Sequence, residues 1–304
     1  MPESEPHPPW PVTTLIGAGA LGQVLGCGLY DAGYPVAAVL SRTLGPAQTL
    51  ATTLGKCHAS DRLLDLPQGT RLVVCCVPDD ALDRVAGDLA MLPHDWATTT
   101  VLHTSGARTS EVWAPLQRKG ASALSLHPMQ TFAAGQAATL QGVYFGIEGD
   151  AAACAQGEAL VQALGGTPIR LSTEAKARYH LAASMASNFT VTLMALVSEV
   201  LTDTGLDRPT SAALVRPLVE QTWANLSHSL PEDVLTGPIA RGDADTLGLH
   251  LDALTTHLPH LLPVYAALAA ETVRVAVRGS HLSPTDSQRL LDRIHASLHP
   301  PDLL

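Results

Sequence analysis

The stretch that most limits what this chain can fold into is "VTTLIGAGALGQVLGCGLYDAGYPVAAVL", residues 12 to 40. Val12 to Ile16 is an apolar run of strand length, Ala20 to Ala32 has helical character and closes at Gly33, and Pro35 to Leu40 is a second strand. Strand, helix and strand joined by loops this short make a parallel crossover. Gly17, Gly19 and Gly22 give GxGxxG where the first strand turns into the helix, the context that this motif requires. The first glycine makes the turn, the second lets backbone approach a pyrophosphate, and the third packs helix against strand. The helix N-terminus then offers N–H groups and partial positive charge to the anion. Gly17, Gly19, Ala20, Leu21 and Gly22 are the expected phosphate-binding residues.

Further strand-like runs follow at 71–77, 99–104, 121–126, 142–148 and 168–172, with helical segments between them at 79–91, 110–119 and 151–164. That alternation predicts an α/β, doubly wound Rossmann sheet. From Thr173 the pattern is helical throughout: one run of about thirty residues without Pro or Gly ends at Gly205, and segments at 209–229, 243–257, 262–278 and 284–298 follow. The expected organisation is a disordered Pro-rich tail (1–11), a dinucleotide-binding domain (12–172) and an all-helical substrate or dimerisation domain (173–304). A long, apolar first helix in such a domain suits burial in a homodimer.

At 304 residues, 46% hydrophobic and 15% charged, the chain can bury two cores. Its net charge of -10 argues against nucleic acid or an anionic membrane as partner. No uninterrupted apolar run reaches membrane-helix length, and the N-terminus lacks signal-peptide character. Five cysteines without CxxC spacing fit a reduced, cytoplasmic protein, with Cys75 and Cys76 in the core; no metal-ligand pattern is present.

After the second strand comes "LSRT" instead of the acidic residue that binds a ribose 2′-hydroxyl in NAD sites. Arg42 can pair bidentately with a 2′-phosphate, and Ser41 and Thr43 can donate to it, so NADP(H) is the expected cofactor. Val77 and Pro78, beyond the carboxyl end of a strand, are expected in the cofactor crevice, and Asp79 and Asp80 as capping acids of the next helix.

The order of a Rossmann domain and a helical domain with a long first helix resembles the 6-phosphogluconate dehydrogenase-like superfamily, which includes β-hydroxyacid dehydrogenases, pyrroline-5-carboxylate reductases and prephenate dehydrogenases. Through "GAGALG", "HTSGA", "SLHPMQTF", "YHLAASMASN" and "LTGPIARGD", the whole chain is most similar to Rossmann-like proteins with a C-terminal domain of unknown function. The resemblance implies the fold and a nicotinamide cofactor, and no established reaction. "LSRT" is similar to the NADP-selective loop of pyrroline-5-carboxylate reductases, and "HPM" resembles a prephenate dehydrogenase motif whose histidine contacts the reacting substrate hydroxyl. Two departures stand out: Thr131 replaces that motif's usual glycine, and the catalytic Lys-x-x-x-Asn of β-hydroxyacid dehydrogenases is not met, since His180 follows Lys176 by four.

His127 and Ser105 both follow strand ends on the ligand side of the sheet. Hydride transfer at a carbon bearing oxygen or nitrogen needs a proton donor or acceptor, and histidine suits that role near neutral pH. Pro128 is expected to stop the strand and to hold His127 extended. His180, Ser184 and Asn188 form an i, i+4 stripe on the long helix, a face for orienting substrate in an interdomain cleft. Lys176 reads as exposed. Arg241, in the Gly/Pro-broken "LTGPIARGD", is a candidate for holding an anionic substrate group. The expectation is an NADP(H)-dependent oxidoreductase for a small hydroxy- or imino-acid-like substrate. The alternatives are a non-catalytic NADP sensor or a reductase of a deazaflavin-like carrier.

Overall fold

The computed structural model describes residues 10–55, 57–133 and 138–299. Most of the expected tail lies outside them; at its end Trp10 stacks on Tyr34, with ring centroids 4.4 Å apart. The chain divides into two compact units that meet at Asn188 and Phe189. The first unit thus keeps sixteen residues that the loss of strand pattern at 172 assigned to the second.

The first unit holds eight strands: β1 (Thr13–Ile16), β2 (Val36–Leu40), β3 (His58–Ser60), β4 (Leu72–Cys75), β5 (Thr100–His103), β6 (Ser122–Pro128), β7 (Tyr144–Gly149) and β8 (Thr167–Arg170). They form one sheet in the order β3-β2-β1-β4-β5-β6-β7-β8. β3 to β6 is the parallel Rossmann order, whose switch point lies between β1 and β4. β6 and β7 run antiparallel, and β7 and β8 parallel.

Helices α1 (Ala20–Asp31), α2 (Leu44–Thr53), α3 (Leu82–Ala90), α4 (Ala114–Gln117) and α5 (Ala151–Ala163) connect the strands. Leu15, Val39, Leu124 and Phe145 pack with Leu25, Leu29 and Val161 into one core. Ile16, Val73 and Cys75 pack with Leu82, Leu89 and Trp113 into a second. Neighbouring residues of one strand, such as Leu15 and Ile16, thereby serve two cores, as period-2 alternation in a sheet covered on both sides requires.

Four local expectations change. α2 and β3 were not anticipated, because β3 is a polar three-residue strand and Pro46 sits early in α2, where its missing N–H costs little. The helix expected over 110–119 shrinks to a tight turn (Ser110–Trp113) and α4, in keeping with Pro115, which cannot donate back to the preceding turn. Pro128 does not stop β6: it pairs with Phe145 of β7. Met129 N–H donates to Tyr144 O at 2.8 Å. Alternation therefore turns the N of Pro128 toward the β5 side, where pairing has ended at Ser125, so no ladder bond is lost. The long helix is α6 (Lys176–Ser184), a wide π turn (Met185–Phe189) and α7 (Thr190–Asp203).

The second unit continues with α8 (Arg208–Leu226), α9 (Pro231–Val234), α10 (Ala244–His257), α11 (Leu262–Arg278) and α12 (Pro284–Leu298). Leu247, Leu251, Ala269, Val273, Leu290 and Ile294 form its core, which Ile239 of "LTGPIARGD" joins. That segment's Asp243 caps α10, accepting from Thr246 N–H at 2.9 Å. Two helical stretches, Thr173–Asp203 and Pro259–Arg278, are long and apolar enough to cross a membrane, which corrects the reading from uninterrupted runs. Scattered Ser, Thr and Asn break the apolar run while leaving the mean hydropathy of the first at 1.5 over its best window.

Candidate functional site

A cleft of about 1460 Å³ opens along the carboxyl ends of the strands of the first unit. It exceeds the roughly 300–1,000 Å³ of most small-ligand sites, as an extended dinucleotide demands. Gly17 sits in it at φ +98°, its N–H bonded to Leu40 O at 2.7 Å. A Cβ there would lie 2.8 Å from the Cys76 carbonyl carbon, and one on Gly22 would lie 2.0 Å from Gly17 O. At Gly19, which precedes the first turn of α1, added carbon would meet nothing within 4 Å. The loop is thus packed tight where it meets the sheet and open where backbone faces the cleft. A dinucleotide pyrophosphate fits this arrangement: α1 has neither an acidic residue in its first turn nor a side-chain cap to compete for its N–H groups.

Ser41, Arg42, Thr43, Ala20, Leu21, Val77 and Pro78 all line this cleft. Ser41 N–H donates to Ser60 O at 3.0 Å, prolonging the β2–β3 ladder and fixing where the Arg42 loop departs. Thr43 precedes α2 with no side-chain capping bond, so its hydroxyl is not used by the helix. Cys75 is fully buried as expected, whereas Cys76 is half-buried and lines the cleft.

At the other end of the cleft Ser105, Gly106, His127 and His180 come together. The His127 and His180 rings meet edge to face at 5.9 Å. A Cβ on Gly106 would lie 2.5 Å from His180 Cδ2 and 2.8 Å from His127 Nε2, so the absence of a side chain there lets both rings stand at the cleft wall. Tyr179 Oη donates to His127 O at 3.2 Å and lies 3.4 Å from His127 Nδ1. With the phenol proton directed at that carbonyl, the network assigns the imidazole proton to Nδ1 and leaves Nε2 as an acceptor.

Ser105 is committed on every side. Its Oγ donates to Asp79 Oδ2 at 2.8 Å and accepts Arg108 N–H at 3.0 Å. Its own N–H donates to His103 Nδ1 at 3.2 Å. His103 Nε2 in turn lies 3.0 Å from Thr109 O, so its proton is on Nε2. The Ser105 carbonyl accepts from Ser125 Oγ at 3.1 Å and from Lys176 Nζ at 2.9 Å, and Lys176 also donates to Ser125 Oγ. Asp79, expected as a helix-starting acid, is therefore the carboxylate that the cleft presents beside Ser105.

Lys176 is fully buried, against the sequence expectation. Glu148, also buried, lies outside ion-pair distance of it and accepts from Ser110 N–H, Ser110 Oγ and Thr173 Oγ1 at 2.8–3.1 Å. Burial, only partly opposed by the charges of Glu148 and Asp79, pulls the Lys176 pKa down to about 8. Burial, then the nearby Lys176 ammonium and His180, pull His127 down to about 4. His103 also falls to about 4, chiefly through burial. At neutral pH His127 is thus a neutral imidazole, a base or acceptor instead of a donor of a second proton.

Lys176 had one sequence signal: it precedes His180 by four, on the same helical face. Asn188 is exposed and does not line the cleft; it lies eight residues beyond His180, inside the π turn, where four-residue spacing no longer keeps one face. Arg241 belongs to the second unit, exposed at the end of the turn Ile239–Arg241.

The fold and cleft define a Rossmann-type dinucleotide-binding protein with a helical C-terminal unit. A Rossmann-like domain model matches residues 4–128, and the model of a domain of unknown function, DUF2520, matches residues 143–272. The chain thus carries a Rossmann-like domain followed by DUF2520, the order that the resemblance implied. Among solved structures it is similar to BF3122 from Bacteroides fragilis, provisionally named an NADP oxidoreductase, at 25% identity and TM-score 0.72 over 87% of this chain and 98% of that one. Protein TM1727 from Thermotoga maritima is 26% identical, with TM-score 0.71 over 88% and 99%. An imine reductase from Myxococcus stipitatus in complex with NADP+ shares the fold, at 19% identity and TM-score 0.62 over 94% and 100%. No curated protein matches the sequence.

Proposed function

We propose that this protein is an NADP(H)-dependent oxidoreductase acting on a small hydroxy- or imino-acid-like substrate. The observation that carries the reading is that one cleft joins a glycine cradle and Arg42 at one end to His127, His180 and the Ser105–Asp79 pair at the other. The NADP oxidoreductase name given to BF3122 and the NADP+ bound by the imine reductase support the same cofactor.

Gly17, Gly19 and the first turn of α1 would hold the pyrophosphate, and Arg42, with Ser41 and Thr43, the 2′-phosphate. Bound NADP(H) supplies or accepts the hydride. His127 Nε2, unprotonated at neutral pH, accepts the proton of a substrate hydroxyl or amine during oxidation. His180 shares the wall with it and orients the substrate. Ser105 acts through Asp79, because its hydroxyl is already engaged and leaves the carboxylate to meet the substrate.

Incubating the protein with NADPH and a panel of carbonyl and imine compounds, and with NADP+ and the matching alcohols and amines, tests this reading by cofactor absorbance. Cofactor binding without hydride transfer across the whole panel would turn the assignment to a nucleotide sensor.

The active form is a homodimer. Leu181, Met185, Phe189 and Val191 along the long helix, and Leu214, Leu218 and Trp223 on α8, are exposed apolar side chains that a second copy would cover. Light scattering of the purified protein should give twice the chain mass. A monomer that associates only with lipid vesicles would replace the dimer with a membrane contact.

A further inference from the structure

We infer that Arg62 is a second cation for the cofactor 2′-phosphate, forming a clamp with Arg42; this rests on the NADP(H) reading above. β2 and β3 are parallel neighbours whose last paired residues are Leu40 and Ser60. Arg42 and Arg62 each follow its aligned residue by two, so adjoining strand ends carry the two guanidiniums to the same stretch of cleft wall, which both line. Both residues are exposed, and among the described residues neither guanidinium has a hydrogen bond or ion pair. Arg108, Arg170, Arg274 and Arg289 are each paired with a carboxylate, whereas Arg84, which lines the same cleft, has no ion pair among the described residues either; what sets Arg42 and Arg62 apart is their level position on paired strand ends. In a chain of net charge -10, two unpaired cations at one point of a cleft form a local anion site.

The loop bearing Arg62 is held for the purpose. Arg62 N–H donates to Ser60 Oγ at 3.1 Å, and that hydroxyl donates to Asp65 Oδ2 at 2.5 Å. Asp65 is thereby engaged by Ser60 and not by Arg62. Asp61 also lines the cleft and, as the neighbour of Arg62 in the chain, is the nearest opposing charge in sequence; Asp79, Asp80 and Asp88, with Arg84, line the cleft as well. A dianionic phosphate between two arginines outweighs Asp61, whereas a bare ribose hydroxyl gains little from either arginine. The two strand ends thus discriminate between cofactors in a way that Arg42 alone would do weakly.

The test is calorimetric titration of the full chain with NADPH, NADH, 2′,5′-ADP and 5′-ADP. Arg62→Ala should raise the Kd for NADPH and 2′,5′-ADP at least about tenfold and leave NADH and 5′-ADP within about twofold. The unchanged ligands report that the variant is folded. Equal weakening of phosphorylated and unphosphorylated ligands, or no weakening of either, overturns the clamp. If Arg42→Ala alone shows the selective loss, Arg62 has no part while the NADP(H) reading stands. If the unaltered protein binds NADH as tightly as NADPH, both fail together.

Discussion

At the β1–β3 end of the cleft the groups that face a ligand are backbone amides and exposed guanidiniums, each set by a few consecutive residues. At the β5–β6 end they are side chains from β6, α6 and the loops after β4 and β5, backed by a buried polar layer of Lys176, Ser125 and His103. The first end binds by open donors that water can also satisfy. The second keeps a charge out of water and holds an imidazole neutral, first by burying it and second by that charge's field. Under the proposed function the contrast is a division of labour: affinity is built locally at a loop, and reactivity from long-range contacts under the surface.

The largest separation of the two ends should come from His127→Ala. Turnover should fall about 100- to 10,000-fold, the usual worth of a positioned acid–base group, while NADPH affinity stays within about twofold by calorimetry. Comparable turnover in the variant would remove His127 from the chemistry. Gly22→Val is the converse: its Cβ would sit 2.0 Å from Gly17 O, so the loop must move and NADPH affinity should drop more than about 100-fold.

A smaller effect is expected from Gly106→Ala, whose Cβ would press on the rings of His180 and His127. Displacing the rings by up to about 1 Å should lower kcat roughly 10- to 100-fold and leave the cofactor Kd unaltered. An unchanged kcat would mean that the ring positions do not matter.

The finest probe is pH. With His127 near 4, the oxidation rate, measured as kcat/KM, should be flat from about pH 5 upward and fall below it as the imidazole protonates and loses its acceptor. Lys176→Met removes a positive neighbour and should shift that acid limb, and the His127 imidazole NMR titration, upward toward the ordinary histidine value. A titration that stays in place would show that burial alone sets it. Stability carries a separate signature of Lys176. Its folded pKa is depressed, so between about pH 8 and 10.5 the unfolded chain binds the proton and the folded one does not. Stability from this group therefore rises with pH across that window, and chemical denaturation at pH 8 and 10 should show less of this rise in Lys176→Met.

Wherever a function depends on near neighbours in the chain, the residues announced it. GAGALG between a strand and a helix implies its own backbone geometry, because the turn, the close approach and the helix start fall within six residues. The place of "LSRT" at a strand end was legible for the same reason, and so were β1, β2 and β4 to β8 with α1, α3 and α5, whose alternation is a local pattern. The pairing that makes a wall out of His127, His180 and Gly106 was legible only in part. His127 and Ser105 follow from strand ends, but their distance from His180 is set by where α6 crosses the sheet.

What the sequence determined by itself was the class of fold and the glycine-loop end of the cleft, since short-range sterics dictate both. Tertiary structure decided the rest. Lys176 lies 71 residues from Ser105, and only the seating of α6 turns an ordinary lysine into a buried ammonium. Asp79 reads as a helix-starting acid until the β5 loop brings Ser105 to it, 26 residues on. Arg62 stands in no motif, and only the pairing of β3 with β2 sets it level with Arg42. Desolvation and charge proximity depend on distances through space, and those distances exist only once the sheet is assembled.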